Sequence, residues 1–324
     1  MKTLARFLVR QGHGSPHSVP SSTGDGIFRW VTGLSAAVIV VIMAAMVIEL
    51  VDNSALSLRQ FGLGFFLSRA WDPVRQQFGA ASSIYGTLVS TAIAMALAFP
   101  LGLITALFLV ELAPPALSRI VGAGIELLAA VPSIIYGMWG MFVFAPFMAA
   151  HVQPALQNYL GFLPLFSGPP MGIGMLTAGI ILALMILPFI TAVSRDVFHM
   201  VPAVVKESGY GMGSTTWEVT RNVTLRYGIR GIIGAGFLGL GRAIGETMAV
   251  TFVIGNNHQI SASLFAAGNS IASTMANEFA EASEPLYLSA LIELGLVLFV
   301  LTMAVQAIAY LWLRRIRKQL GGGL

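Results

Sequence analysis

The chain has 324 residues, of which 56% are hydrophobic and only 10% are charged, and its mean hydropathy is +0.81. Soluble domains carry roughly 25% charged residues, so this composition predicts an integral membrane protein. The formal net charge is +4, but the basic residues flank apolar stretches and form no single patch, which argues against nucleic acid as a partner. The absence of cysteine excludes disulfides, thiolate metal sites and a cysteine nucleophile.

Residues 1–26 form a polar arm rich in Gly, Ser and Pro, a composition that predicts a disordered cytoplasmic segment. His13 and His17 have a spacing that a helix could use to hold a metal. Gly14 and Pro16 disfavour a helix there and no carboxylate is near, so no metal site is predicted. We expect residues 27–320 to form one transmembrane domain.

Six apolar stretches have the roughly 20 residues that a bilayer of about 30 Å demands of a helix, which predicts an all-α membrane protein with six transmembrane helices. They lie near residues 30–50, 83–112, 120–150, 171–193, 229–254 and 286–313. Pro132, Pro146 and Pro154, with the turn at 167–170, predict breaks in the third stretch and an exported loop with short helical pieces within 137–170.

The basic residues predict the orientation of the chain. If the amino terminus is inside, 14 of the 18 Lys and Arg residues are inside, and only Arg59, Arg69 and Arg75 are outside. The positive-inside rule then places both termini in the cytoplasm. The remaining basic residue, Arg242, lies within the fifth apolar stretch together with Glu246.

Arg242 and Glu246 mark a candidate functional site, because a charge near the bilayer centre costs roughly 3 kcal/mol or more. On a continuous helix their four-residue spacing would place both side chains on one face, about 6 Å apart along the axis. Two other carboxylates in the predicted spans, Glu126 and Glu293, could face a vestibule, pair with a basic residue or serve in assembly. Glu111, at the end of a span, can reach interfacial water and is assigned no role.

Residues 199–228 are the only sizeable cytoplasmic segment expected to have a structure of its own. Pro202 can open a helix, and the hydroxyls of Ser214, Thr215 and Thr216 suit a turn followed by a helix N-cap. Apolar residues from Trp217 onwards recur at near-helical spacing. We therefore expect two short helices with a bend, which would present an amphipathic surface to a partner.

This segment resembles the EAA loop of ABC-importer permeases, whose pattern is Glu-Ala-Ala, three residues, Gly, nine residues and Ile-x-Leu-Pro. Glu207, Gly213, Val223 and Leu225 match it in type or spacing. The departures are Ser208 and Gly209 for the two alanines, Val223 for isoleucine and Arg226 for proline.

Two further segments resemble permeases of phosphate-specific ABC importers: Val-Pro-Ser-Ile-Ile-Tyr-Gly at 131–137 and Gly-Arg-Ala-Ile-Gly-Glu-Thr-Met-Ala-Val at 241–250. The Met-Ala-Val ending differs from the PstA type and favours the other permease of the pair. The resemblance implies a MetI-like fold, the bacterial cytoplasmic membrane and import of inorganic phosphate. It also implies a PstA-like second permease, two copies of a PstB-like ATPase and a PstS-like periplasmic phosphate-binding protein.

No lysine of the chain stands in a phosphate-cradling Gly-x-x-x-x-Gly-Lys context, so we predict that it is not an enzyme and that a partner ATPase binds ATP and Mg. A Gly-x-Gly-x-x-Gly pattern at 234–239 lies inside an apolar stretch without a preceding strand. The small residues at 231, 235 and 239 instead predict close helix packing.

With the resemblance, Arg242, Glu246 and Thr247 are predicted to line the substrate path, and Glu207, Gly213, Trp217 and Glu218 to dock the ATPase. Arg242 could donate paired hydrogen bonds to phosphate oxygens while Glu246 accepts one from a P–OH group. The alternative is an internal ion pair that never meets a substrate. The alternative functions are import of another oxyanion such as molybdate or sulfate, and proton-coupled secondary transport, which would usually show an internal repeat.

Overall fold

The computed structural model describes residues 23–319, and its regular secondary structure is helical. The helices are α1 (Thr23–Asn53), α2 (Ala55–Phe61), α3 (Gly64–Leu67), α4 (Ala81–Leu112), α5 (Pro115–Ala129), α6 (Ser133–Leu160), α7 (Met175–His199), α8 (Ala203–Gly211), α9 (Thr216–Val219), α10 (Leu225–Ile244), α11 (Met248–Val253), α12 (Ile271–Glu278) and α13 (Pro285–Gln319). The predicted all-α class is confirmed.

Five of the described helices, α1, α4, α6, α7 and α13, are long and apolar enough to cross a membrane. The chain divides into two units between Glu49 and Leu50, so most of α1 is described by itself. Since α1 begins at Thr23, it includes residues 23–26, which the sequence assigned to the polar arm. The rest of that arm, with His13 and His17, lies outside the described residues.

Helix α7 is the centre of the second unit and packs against α4, α5, α10 and α11. Ile181, Ile186 and Ile190 of α7 are fully buried. Small residues on α10 allow this contact: a Cβ atom on Gly239 would stand 2.8 Å from the Ile190 side chain, and one on Gly236 would stand 2.9 Å from the Phe99 ring of α4. The predicted close packing along 231–239 is therefore confirmed, and the dinucleotide-like pattern is helix surface.

The third predicted span, 120–150, was wrong in its bounds. Helix α5 ends at Ala129 and α6 begins only after Pro132, so the membrane-length helix is Ser133–Leu160. Residues 137–160 are consequently helix and do not form an exported loop. The loop is restricted to 161–174 and contains a 3₁₀ turn, Pro164–Phe166.

Proline does not interrupt α6 because the helix widens before two of its prolines. The π-turns Gly140–Phe144 and Met148–Val152 precede Pro146 and Pro154. A proline ring clashes with the carbonyl four residues earlier in an α-helix, and a π-turn displaces that carbonyl. The helix therefore continues where the sequence predicted breaks.

The fifth predicted span, 229–254, is not one helix. Helix α10 ends at Ile244, residues 245–247 are non-helical, and α11 covers only Met248–Val253. The chain between α9 and α12 thus contains a broken helix where the sequence predicted a continuous one. The count of six crossings stays a prediction: α10 and α11 together would add one crossing to the five long apolar helices.

A polar network is centred on Glu278, the last residue of α12. The Glu278 carboxylate accepts hydrogen bonds from Trp71 Nε1 and the Tyr287 hydroxyl, both at 2.6 Å, and lies 3.1 Å from His258 Nε2. The His258 ring stacks on Trp71 with 5.5 Å between centroids. Burial alone would raise the pKa of Glu278, but hydrogen bonds from His258, Tyr287 and Trp71 outweigh it and lower the pKa. His258 and Glu278 therefore join several segments of the chain.

We expect Glu278→Ala to lower the free energy of unfolding by about 2–4 kcal/mol, because buried donors without an acceptor cost about 1–3 kcal/mol each. Since the folded-state pKa of Glu278 lies below its ordinary value of 4.5, its stabilisation is present above that value and is lost as the pH falls. Thermal unfolding in detergent, followed by circular dichroism, measures both effects. Glu281→Ala, at an exposed neighbour, is the control; an equal loss in both variants would contradict the assignment.

Candidate functional site

The break between α10 and α11 exposes backbone groups that a continuous helix would bond. Gly245 N–H still donates to the Gly241 carbonyl at 3.3 Å, and Glu246 N–H donates to the Ala243 carbonyl at 3.4 Å. The Glu246 carboxylate accepts the Ala249 N–H at 3.1 Å. The side chain therefore satisfies one of the amide groups that lack a partner at the start of α11.

Arg242 lies in the last turn of α10, partly buried, with its guanidinium carbon 5.6 Å from the centroid of the Phe189 ring of α7. Among residues 23–319 it forms no salt bridge, and no residue there accepts a hydrogen bond from it. The predicted placement of Arg242 and Glu246 on one helical face is thus wrong, because α10 ends between them.

Other polar groups lie at the level of the break. Tyr136 of α6 is close enough to Arg242 to interact with it electrostatically. The Thr247 hydroxyl is 3.4 Å from the Gly245 carbonyl, and the Thr247 carbonyl accepts the Thr251 hydroxyl at 2.7 Å. The break therefore gathers a cation, a carboxylate and a hydroxyl within six residues of the chain.

Helix α6 holds α11 in place by a close approach at Gly137. A Cβ atom on Gly137 would stand 2.8 Å from the Phe252 ring and 3.0 Å from the Ala249 Cα. Segments 131–137 and 241–250, which carry the sequence resemblance, therefore pack against each other beside the break.

Within the predicted cytoplasmic segment 199–228, α8 and the bend after it form as predicted, but α9 is not a separate short helix: it continues through the π-turn Thr220–Thr224 into α10. Gly213 forms the bend at φ +84°, in the left-handed region that favours glycine. Thr215 caps α9: its N–H and hydroxyl donate to Glu218 Oε2 at 2.8 and 2.9 Å, and its Oγ1 accepts the Glu218 N–H at 3.4 Å. The backbone N–H of Thr215, followed by its hydroxyl, lowers the pKa of Glu218, because both hydrogen bonds favour the ionised carboxylate.

The outer surface of α8 and α9 exposes apolar side chains. Val204, Met212 and Trp217 are 70, 81 and 65% exposed, and Glu207 is exposed beside them. The inner surface is packed, since Val219 is buried and lies against Gly209. Exposed apolar surface of this kind is typical of a protein–protein or membrane contact.

Comparison with known proteins identifies the family. Residues 98–318 match the binding-protein-dependent transport system inner membrane components. The chain is 52% identical over 301 residues to the phosphate transport system permease protein PstC of Mesorhizobium japonicum, covering 92% of each chain. It is also 52% identical over 299 residues to that of Pasteurella multocida, covering 91% of this chain and 93% of the relative. The chain belongs to the PstC family.

Solved structures support the MetI-like fold of this PstC-family permease. A bacterial ABC transporter that imports the acidic polysaccharide alginate matches with a TM-score of 0.61 at 13% identity, covering 90% of this chain and 98% of that one. The inward-facing MetNI methionine ABC transporter matches with a TM-score of 0.53 at 18% identity, covering 74 and 98%. At these identities the matches show the fold alone.

Three carboxylates of the PstC-family permease have environments that the sequence left open or missed. Glu126 pairs with Arg195 of α7. Glu293 is buried on α13 near Ser57. The Glu111 side chain is only 7% exposed and lies 2.7 Å from Lys206 Nζ. Glu111 and Lys206 are 95 residues apart, so no local pattern could have indicated this contact.

The bend at Gly213 can be tested against a matched glycine, because a Cβ atom on either Gly211 or Gly213 would meet nothing within 4 Å. We expect Gly213→Ala to destabilise the α8–α9 pair by about 1 kcal/mol through the left-handed backbone. Gly211→Ala, within α8, should stabilise it by up to about 1 kcal/mol. Amide hydrogen exchange in residues 203–219 measures both; equal exchange in the two variants would contradict the role of the bend.

Proposed function

We propose that this chain is the permease subunit through which an ATP-driven importer moves inorganic phosphate into the cytoplasm. The observation that carries the proposal is the Arg242 guanidinium, unpaired among the described residues at a helix break in the membrane domain. The relatives at 52% identity are named phosphate transport permeases, which supports phosphate as the substrate. The chain itself performs no covalent chemistry.

The residues at the break suit a passing phosphate. The planar guanidinium of Arg242 can donate two parallel hydrogen bonds to phosphate oxygens. Glu246 can accept a hydrogen bond from a P–OH group, and its negative charge keeps the anion from being held too tightly. Thr247 offers a hydroxyl beside both.

The proposed partners are a PstA-like permease, two copies of a PstB-like ATPase that hold ATP and Mg, and a PstS-like periplasmic phosphate-binding protein. Glu207, Gly213, Trp217 and Glu218 shape the surface that docks the ATPase. The exposed apolar side chains of α8 and α9 support this assignment. Both termini are proposed to be cytoplasmic, on the same side as α8 and α9.

We expect Arg242→Ala to reduce ATP-dependent uptake of radiolabelled phosphate into proteoliposomes at least about 30-fold, because losing a charged hydrogen-bond partner costs about 2–5 kcal/mol. Arg242→Lys should recover only part of the rate, since lysine lacks the planar donor pair. Glu246→Gln should be milder than Glu246→Ala, because an amide oxygen can still accept the Ala249 N–H.

Arg75→Ala is the control for this series, since Arg75 is exposed and pairs with Asp72 at the surface. The double variant Arg242→Ala with Glu246→Ala tests whether these residues line the substrate path or only stabilise the protein as a pair. A site on the substrate path predicts normal expression with uptake still lost. Recovery of both would identify a structural pair. Uptake of molybdate or sulfate in preference to phosphate, or uptake without the ATPase, would replace the proposed substrate or mechanism.

The proposed orientation is testable with single cysteines, because the native chain has none. Val74→Cys, at a position 93% exposed, should react with a membrane-impermeant thiol reagent in intact cells. Met212→Cys, at a position 81% exposed on the docking surface, should react only after permeabilisation. The cysteine-free parent gives the background, and labelling of Met212→Cys in intact cells would reverse the assigned orientation.

A further inference from the structure

A buried ion pair connects the docking helix α8 to the end of the membrane helix α4. Glu111 Oε1 accepts a hydrogen bond from Lys206 Nζ at 2.7 Å and a second from the Thr224 hydroxyl at 2.9 Å. The side chains of Glu111 and Lys206 are 7 and 18% exposed, and Thr224 is fully buried. One carboxylate oxygen thus joins α4, α8 and the segment that leads into α10.

The helical geometry of α8 separates the residues that face the bundle from those that face the partner. Lys206 and Gly209 are three residues apart and lie on one face, where Gly209 packs on Val219 and Lys206 reaches Glu111. Glu207 is rotated by about 100° from Lys206 and is exposed. The docking helix therefore has an outer face for a partner and an inner face fixed by packing and by an ion pair.

Two of the three residues that meet here, Glu111 and Thr224, lie in π-turns. Glu111 belongs to the π-turn Phe108–Leu112 that ends α4, and Thr224 ends the π-turn Thr220–Thr224 that leads into α10. Such turns redirect side chains out of the regular helical positions and are frequent at functional sites. From Glu111, α4 continues into close packing with α7 and α10, the helix that carries Arg242.

We infer that Glu111 is a positioning residue that transmits displacement of the docking helix α8 to the membrane helix α4. The inference rests on the proposed function. Stability alone does not require an ion pair here, because burying two charges costs solvation that an apolar pair of similar volume would not cost. A short charged hydrogen bond between two helices instead resists sliding and pivoting, which a flat apolar contact allows.

The test compares transport with ATP hydrolysis in the complete reconstituted importer. The double variant Glu111→Gln with Lys206→Met removes both charges and leaves no buried ion unpaired. We expect it to bind the ATPase and hydrolyse ATP, while phosphate imported per ATP falls by about tenfold, a typical coupling between distant sites. Lys206→Arg, which keeps a cationic donor, should retain more of this ratio than the double variant.

The control is a second ion pair between two helices, Glu126 of α5 with Arg195 of α7. Arg195 lies one turn before the end of α7 at His199. The double variant Glu126→Gln with Arg195→Met removes this pair and alters α5 and α7, but not α8. It should leave the phosphate-to-ATP ratio unchanged. An unchanged ratio in the Glu111 and Lys206 double variant, or loss of ATPase binding by it, would overturn the inference. Absence of phosphate import by the unaltered importer would instead refute the proposed function.

If the double variant does not fold and insert into the membrane, Thr224→Val decides the question, because valine keeps the shape of threonine and removes only the second hydrogen bond to Glu111. A reduced ratio, smaller in effect than tenfold, supports the inference. A ratio equal to that of the unaltered importer overturns it.

Discussion

The structure depends on the requirement that backbone N–H and C=O groups be hydrogen-bonded within the protein where lipid replaces water. Helices meet this requirement everywhere except at a break, and the break at residues 245–247 is where the candidate substrate path lies. The Glu246 carboxylate accepts the Ala249 N–H there and forms no ion pair with Arg242. Arg242 stands in the last turn of α10, where the carbonyl ends of the helix carry partial negative charge, which offsets part of the cost of burying a cation. The guanidinium is thus tolerated without a carboxylate partner.

Close helix packing keeps the two halves of the broken helix in register. In lipid, association gains little from the hydrophobic effect and relies on van der Waals contact, which small residues permit. Gly236 and Gly239 bring α10 against α4 and α7, and Gly137 brings α6 against α11. Each half is therefore held by its own neighbours, and the break does not need the helix to be continuous in order to keep its position.

Hydropathy predicted most of the long helices because length and apolar composition are local properties of the chain, and the pattern around Gly213 and Thr215 predicted the bend and cap for the same reason. The break at Gly245 escaped prediction since apolar residues predominate both at 231–241 and at 248–254, so the stretch 229–254 has the composition of one continuous span. Pro146 and Pro154 led to the opposite error, a predicted break where the helix continues, because a π-turn before each proline accommodates its ring. Long-range contacts such as Glu111 with Lys206, and His258 with Glu278, have no local signature. The sequence thus located the candidate site residues but not their partners.

The pairing of charges separates two kinds of work within the described residues. Arg195 pairs with the Glu126 carboxylate and Lys206 with the Glu111 carboxylate, and each ion pair fixes one helix against another. At the break, Arg242 has no carboxylate partner among the described residues, and its guanidinium lies over the aromatic face of Phe189. A paired cation adds rigidity because its charged hydrogen bond fixes the side chain against the neighbouring helix. An unpaired cation can still donate hydrogen bonds to an anion. The cation–π contact is weak enough for a phosphate to bind the guanidinium with or without it. The two proposals assign these roles accordingly: the Glu111–Lys206 pair transmits displacement of α8, and the unpaired Arg242 meets the anion.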